Sequence, residues 1–332
     1  MTGPHRAVAA TRLAVRRALA QIPHRELGGP GAIVLVACSG GADSLALAAA
    51  TAFEAPRIGL SAGAVIVDHG LQEGSSAVAA RGADQCRGLG LDPVEIVSVH
   101  VASTGSGPEA GARDARYRAF EDVAERVGAM AVLLGHTRDD QAEQVLLGLA
   151  RGSGARSLSG MPARRGRYLR PLLGVARTTT AAACEVAGLT PWVDPQNSDP
   201  AFGRVRARAL LPILETELGR GTVAALARSA DLLREDADAL DDLAVAARGA
   251  LGPDPVDASG LLSLPRAIRT RVWRLLAVEA GCPPGALVAS HVDSLDTLLT
   301  RWKGQGPIDL PGRVQGRRSG SRVLVGRTDR VE

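Results

Sequence analysis

The stretch "AIVLVACSGGADSLALAAA" (residues 32–50) runs an unbroken apolar segment into a glycine pair and then into a run of Ala and Leu. A short apolar segment rich in Val, Ile and Leu, without alternation, reads as a strand buried on both faces. The Ala and Leu run reads as a helix, so Ser39, Gly40, Gly41, Ala42, Asp43 and Ser44 form the turn between them. Gly40 and Gly41 let the backbone turn sharply and expose successive N–H groups, while the helix presents its positive end. Ser39 and Ser44 add hydroxyl donors, and the whole makes a nest for an anion. A Walker loop would carry a lysine here, and none is present. Asp43 should repel an anion unless a metal ion sits between them. The blander reading is a plain strand-to-helix connection with Asp43 or Ser44 as N-cap.

Similar apolar runs recur at 63–69 ("GAVIVDH"), 94–101 ("VEIVSVHV") and 129–136 ("AMAVLLGH"), with helical stretches between them. Strand–helix alternation at this spacing predicts a doubly wound, mostly parallel α/β sheet with helices on both faces. Ligands in such sheets bind beyond the carboxyl ends of the strands. The polar clusters at 38–44, 68–70, 103–109 and 136–143 should therefore converge on one edge. After residue 150 comes a Gly/Arg-rich connection, then a Pro/Asn/Asp-rich link, "PWVDPQNSDPAFGRVRARALLP" (191–212). From about residue 213 the chain reads as helices with a short basic hairpin in the tail. The expected division is residues 1–212 (core 30–200) and a smaller, mainly helical domain over 213–332.

The chain has 332 residues, 45% of them hydrophobic and 22% charged, which is a globular composition rather than a disordered or fibrous one. No apolar run is long enough to span a bilayer, and Arg and His interrupt the N-terminal segment, which reads as an amphipathic surface helix rather than a signal peptide. A cytoplasmic protein with no membrane partner is expected. The four cysteines, Cys38, Cys86, Cys184 and Cys282, are widely spaced with no C-x-x-C pair, so each reads as a small buried hydrophobe. The net charge is +4, carried almost wholly by arginine, since Lys303 is the only lysine. Arginine suits phosphate and RNA, although a GC-rich genome gives the same bias. Aromatics are only 2%, too few for a surface that stacks many bases.

Three further constellations carry chemistry. In "GHTRDDQAEQ" (135–144), a helix starting near Thr137 sets His136, Asp140 and Glu143 on one face. An imidazole and two carboxylates there can hold a cation, act as a base or orient a cationic substrate. Thr137 and Asp140 also make a capping box, which accounts for part of the pattern without any chemistry. In "EAGARDARYRAF" (109–120), Arg113 and Arg116 lie one turn apart and can clamp phosphates, or pair with acids on a solvated face. In "RVRARALLP", Arg204, Arg206 and Arg208 alternate beside the link, which suits an RNA backbone.

"SGGADS", "VDHGL", "EAGARDARY", "GHTRDDQAE", "RGSG", "RPLL" and "WVDPQNSDPAFGRVRAR" together resemble the tRNA(Ile)-lysidine synthetases. These are PP-loop (N-type) ATP pyrophosphatases, with an adenine-nucleotide α-hydrolase-like fold. The resemblance covers roughly residues 30–212. It implies that ATP adenylates carbon 2 of the wobble cytidine of a CAU-anticodon isoleucine tRNA, and that free L-lysine then displaces AMP to give lysidine. It implies ATP and Mg²⁺ as cofactors, with Ser39, Gly40, Gly41, Ala42, Asp43 and Ser44 on the pyrophosphate and Asp43 and Asp140 toward the metal. Asp140 and Glu143 would serve Mg²⁺ and the lysine ammonium, with Asp140 the candidate base. His136 would lie near nucleotide or cytidine, Arg113 near the phosphates or the cytidine intermediate, and Arg208 would close over the site. Glu143, Arg116, Arg204 and Arg206 would meet lysine or tRNA. A homodimer is among the open oligomeric states. The sequence departs from the family at Gln144, usually Thr, at Val205, usually Asn, and at Pro212, which comes one residue early. A tRNA 2-thiolase and a non-catalytic nucleotide-binding module are the rival readings. Paired cysteines would mark the thiolase, and Cys38 has no second cysteine near it in sequence.

Overall fold

The apolar run at 32–37 forms the central strand β1 (Ile33–Ala37), in which Val34, Leu35 and Val36 are fully buried. The structure is a computed structural model that describes residues 3–22, 31–70, 74–99, 108–195 and 199–328. Part of the polar stretch at 103–109, the end of "VDHGL" and residues 196–197 of the "DPQN" motif, with residue 198 after it, lie outside these, as does the side chain of Glu109. β2 (Ser61–Asp68), β3 (Val94–Ser98) and β4 (Ala129–Leu134) coincide with the other apolar runs. β1 pairs in parallel with β2, Ile33 opposite Ser61, and with β4, Ala37 opposite Leu134.

Two strands were hidden from the sequence pattern. β5 (Arg164–Arg165) and β6 (Tyr168–Leu169) form a hairpin inside the Gly/Arg-rich connection, after the short helix α6 (Ala155–Leu158). Two-residue strands carry no readable period. The sheet order is β3-β2-β1-β4-β6-β5, with β6 parallel to β4 and β5 antiparallel to β6. Parallel pairing sets the carboxyl ends of β1, β4 and β6 on one edge.

Helices cover both faces. On one lie α1 (Arg6–Leu19), α2 (Ala42–Glu54), α3 (Ser75–Gly88) and α7 (Arg177–Val186), contributing Val15, Leu47, Ala83 and Cys184 to a core shared with the sheet. On the other, α4 (Pro108–Arg126) contributes Phe120, Val123 and Ala124. α1 is amphipathic as expected, burying Ala7, Thr11, Val15 and Leu19 at i, i+4 spacing. α5 (Arg138–Ala150) comes after β4, and α8 (Gly203–Glu217) packs Leu211 against its Ala142.

The chain divides into two units, Met1–Leu233 and Arg234–Glu332, inside the long helix α9 (Thr222–Ala250). The expected cut at 212/213 falls instead within α8. Leu211, Ala142 and Val223 form one small core, which keeps α8 and the start of α9 with the first unit. The second unit is less purely helical than its sequence suggests. Beside α10 (Ala258–Ser263), α11 (Arg266–Glu279) and α12 (Ala289–Thr300) it holds an antiparallel sheet, β7-β10-β9-β8. Those strands are β7 (Val256–Asp257), β8 (Ile308–Leu310), β9 (Val314–Ser319) and β10 (Arg322–Arg327). Its core buries Trp273, Leu295, Leu298 and Val323, and a buried Asp296 accepts hydrogen bonds from Arg269 (2.7 and 3.0 Å) and Trp273 (3.1 Å).

Gly63 in β2 shows how tightly the first sheet packs. A Cβ there would stand 2.6 Å from the Pro93 carbonyl oxygen and 2.9 Å from Leu35 Cδ2. Gly63→Ala should therefore cost about 1–3 kcal/mol, the usual range for overpacking. The check is a lower urea midpoint for the first unit with the slope unchanged.

Candidate active site

The glycine turn is organised by Ser44, the third residue of α2. Its Oγ donates to the Gly41 carbonyl (2.9 Å), accepts from the Ser39 backbone N–H (3.1 Å) and lies 3.2 Å from Ser39 Oγ. Gly40 has φ +79°, a conformation that favours glycine, and its carbonyl accepts from Trp192 N–H (2.9 Å). Gly135, just after β4, lets the turn approach closely, since a Cβ there would stand 3.1 Å from the Ser44 backbone and force it to give by a few tenths of an ångström. The turn is thus held from below by Ser44, from the side by residue 192 and from β4 by close backbone contact. A cleft of about 610 Å³ opens beside it, lined by Gly40, Val78, Arg81, Gly82 and Trp192 among others, with no acidic residue of α5 in its wall.

Three carboxylates gather at the same strand ends, Asp43 on α2 and Asp140 and Glu143 on α5. A single guanidinium joins them: Arg177 at the start of α7 meets Asp140 Oδ1 at 2.8 Å, Glu143 Oε1 at 3.1 Å and Asp43 Oδ2 at 3.6 Å. Arg208 adds a second contact to Glu143 Oε1 at 2.8 Å and stands 4.0 Å from Asp140. Arg177 is positioned by its own backbone N–H, which donates to Asp139 (2.8 Å). Thr180, one turn along α7, donates to both Asp43 and the Arg177 carbonyl. The expected link between Thr137 and Asp140 is present, Asp140 Oδ2 accepting from the Thr137 N–H (2.7 Å) and hydroxyl (2.8 Å).

These surroundings separate the acids. Burial raises the Asp43 carboxyl above its usual range, and Thr180 and Arg177 only partly oppose it. Burial also works against Asp140, but Arg177 and the Thr137 hydrogen bonds outweigh it and hold that carboxyl below the usual range. Such an environment makes Asp140 a charge partner and a poor proton acceptor, contrary to the base role expected of it. Glu143 is fully buried, and its Oε2 has no hydrogen-bond partner.

The other side of the edge is basic. His136 lies just past β4 and is pushed down to about 4 by burial, by Arg170, Arg204 and Arg113, against the pull of Asp140. Arg113 stacks over the Tyr117 ring at 5.1 Å, and Arg116 donates from Nε to His69 Nε2 at 3.2 Å. Arg113 is thus among the charges that act on His136, while Arg116 meets His69 just past β2.

The alternating arginines 204, 206 and 208 are separated by the helix they sit on. Residues four apart on α8 share a face, so Arg204 and Arg208 turn toward α5, where Arg204 meets Gln144 Oε1 at 3.3 Å. Arg206 turns away and donates to the Pro200 and Ala201 carbonyls (2.6 and 2.9 Å). The structure therefore brings Arg204 and Arg208 into the site and leaves Arg206 on its own loop.

Sequence reasoning missed Arg177 and Arg170, which lie far along the chain from the glycine turn. The only available signal was their place in the "RPLLGVARTTT" segment. It also missed that Cys86 on α3 reaches the thiol of Cys38 at the end of β1. All four cysteines are free and buried, so the pair lies beneath the turn and not in reach of a substrate.

Hard oxygen ligands are present in Asp43 and Asp140, but among the described residues no three His, Cys, Asp or Glu side chains form a metal cage. Magnesium commonly takes one or two carboxylates and completes its shell with phosphate oxygens and water. The donor set fits a cation of that kind that arrives with a nucleotide.

Known proteins share both units of this chain. Residues 14–214 match the PP-loop domain, and residues 257–324 match the TilS substrate binding domain. The chain is 58% identical to tRNA(Ile)-lysidine synthase of Thermobifida fusca, over 98% of this chain and 99% of that one. It is 54% identical to the enzyme of the same name from Streptomyces coelicolor, covering 97% and 99%. Among solved structures, the U34-tRNA thiolase NcsA from Methanococcus maripaludis, with its 4Fe-4S cluster, superposes with a TM-score of 0.54 at 18% identity, over 69% of this chain and 80% of that one. That likeness concerns the fold alone.

The low position of His136 is directly measurable. Its pKa in the folded chain lies below that of the unfolded chain, so it contributes stability fully above about 6.5. That contribution is lost as pH falls from there toward about 4. Ring ¹⁵N shifts should show His136 neutral at pH 6, and a cationic ring at that pH would contradict the burial argument.

Proposed function

The chain belongs to the tRNA(Ile)-lysidine synthase family, and we propose on that premise how its residues divide the reaction. The enzyme joins lysine to carbon 2 of the wobble cytidine of a CAU-anticodon isoleucine tRNA, through an adenylated cytidine, with ATP leaving as AMP and pyrophosphate. The oxygen on carbon 2 attacks the α-phosphate and pyrophosphate departs. The ε-amine of lysine then attacks carbon 2, and AMP leaves with the oxygen.

Ser39 to Ser44 cradle the departing pyrophosphate. Backbone N–H groups and the α2 dipole suit that anion without a Walker lysine. Asp43 and Asp140 would hold Mg²⁺, which when bound supplies charge neutralisation for the phosphates. The observation that carries the rest is Glu143 Oε2, a buried carboxylate oxygen without a partner at the strand ends. An ammonium group satisfies such an oxygen and gains strength from its burial. Glu143 is accordingly assigned to the lysine ε-ammonium, and its Oε2 to the proton the amine must lose before attack. The second unit, through its substrate-binding match, is assigned to the tRNA. We assign the reaction to the cytoplasm, and among the described residues no helix is long and apolar enough to cross a membrane.

The test is incorporation of radiolabelled lysine into isoleucine and methionine CAU transcripts, with ATP and Mg²⁺. Label only in the isoleucine transcript, with AMP and pyrophosphate released, is expected. ATP-dependent sulfur incorporation in its place would move the protein to the thiolases. Glu143→Gln should raise the KM for lysine by tenfold or more, the worth of a charge-assisted hydrogen bond of about 1.5–3 kcal/mol. Adenylate formation without lysine should change far less. Equal loss of both steps would remove Glu143 from the amine's site.

A further inference from the structure

We infer that Arg170 binds a phosphoryl group at the basic side of the active-site edge, either the phosphate of the adenylate or a phosphodiester of the bound RNA. The inference rests on the proposed use of tRNA and ATP by this chain. Arg170 directly follows β6, whose Leu169 lies opposite Leu133 of the parallel strand β4, so it emerges at the same strand ends as His136. It is only 6% exposed, yet no carboxylate pairs with it among the described residues. Its polar neighbours are the Pro162 carbonyl, which accepts from Nη1 at 2.9 Å, and the Tyr117 hydroxyl. Its Nε is buried with no partner at all.

A buried cation without a counter-charge is costly, and removing it often leaves a protein as stable or more so. Its nearest charged company makes matters worse, since Arg113 and Arg165 are both cationic. His136, at the same strand ends, is held neutral by its burial together with Arg170, Arg204 and Arg113. The contrast with the acidic side is informative. There Arg177 and Arg208 are each satisfied by carboxylates at 2.8 Å, and a phosphate would meet negative charge. Arg170, with Arg113 beside it and Nε free, has instead a donor to give and charge to neutralise. A phosphoryl oxygen answers both needs, and the planar fork of arginine suits it.

The test uses the full chain and compares Arg170→Met and Arg170→Lys with wild type. ATP affinity is measured without RNA, and affinity for an isoleucine CAU anticodon stem-loop is measured without nucleotide over a salt series. Arg170→Met should leave the thermal midpoint of the free protein unchanged or raise it, because an uncompensated charge is removed. It should weaken one ligand by about ten- to a hundredfold, the worth of a hydrogen bond to a charged group. Loss confined to ATP assigns the adenylate phosphate, and loss confined to RNA with a shallower salt slope assigns the phosphodiester. Arg170→Lys keeps the charge but not the fork, and should lose less. If Arg170→Met fails to fold, the Lys variant is read alone. Wild-type affinity for both ligands in the folded variants overturns the inference. Failure of the wild-type chain to bind either ligand overturns the reading on which it rests.

Discussion

The contact of Arg177 with three carboxylates is the interaction on which the site depends. Asp43, Asp140 and Glu143 come from two helices that follow different strands, and their mutual repulsion in a part-buried setting would drive those helices apart. One guanidinium, reaching each of them within 3.6 Å, holds α2, α5 and α7 around one point. The Asp139 bond to the Arg177 backbone and the Thr180 bond to Asp43 fix the same three helices by separate means. Removing one partner of such a network leaves the remaining charges less well compensated, most of all when the partner lost is Arg177, which reaches all three.

Around that point the edge of the sheet is polarised. The carboxylates lie on one side, shared by Arg177 and Arg208, while Arg113, Arg170 and Arg204 surround a neutral His136 on the other. A reaction that separates a phosphate anion from an amine nucleophile is served by such a division. In the proposed mechanism cationic groups would stabilise the charge that builds on the phosphate, and buried carboxylates would receive the ammonium. The β5–β6 hairpin, which the sequence pattern does not show, contributes to this polarity by carrying Arg170 to the strand ends.

Much of the fold was legible because buried parallel strands are written as short uniform apolar runs, and the four such runs are β1 to β4. The turn itself was legible for a related reason, since a glycine pair between an apolar run and an Ala/Leu run marks a strand-to-helix junction. Asp140 and Glu143 were found by helical spacing alone. The same spacing could have sorted Arg204 and Arg208 from Arg206, had "GRVRARALLPIL" been read as a helix rather than as an extended link. Pro212 lies inside that helix, α8. Arg170 and Arg177 showed only as members of the "RPLLGVARTTT" segment, and Cys86 gave no local signal, since what each meets across the fold lies dozens of positions away.

By itself the sequence determined the doubly wound sheet, the glycine turn between its central strand and the following helix, and the helical spacing that sets Asp140 near Glu143, because these follow from periodicities and turn chemistry within a few residues. Tertiary structure alone decided which charges meet. It set Arg177 between the acids, left Glu143 Oε2 and Arg170 Nε without partners, turned Arg206 away, and carried the domain division into α9. The physical reason is one of range. Backbone preference and hydrophobic period act over a few residues, whereas the energy of a buried charge depends on everything packed within several ångströms of it, whatever its place in the chain.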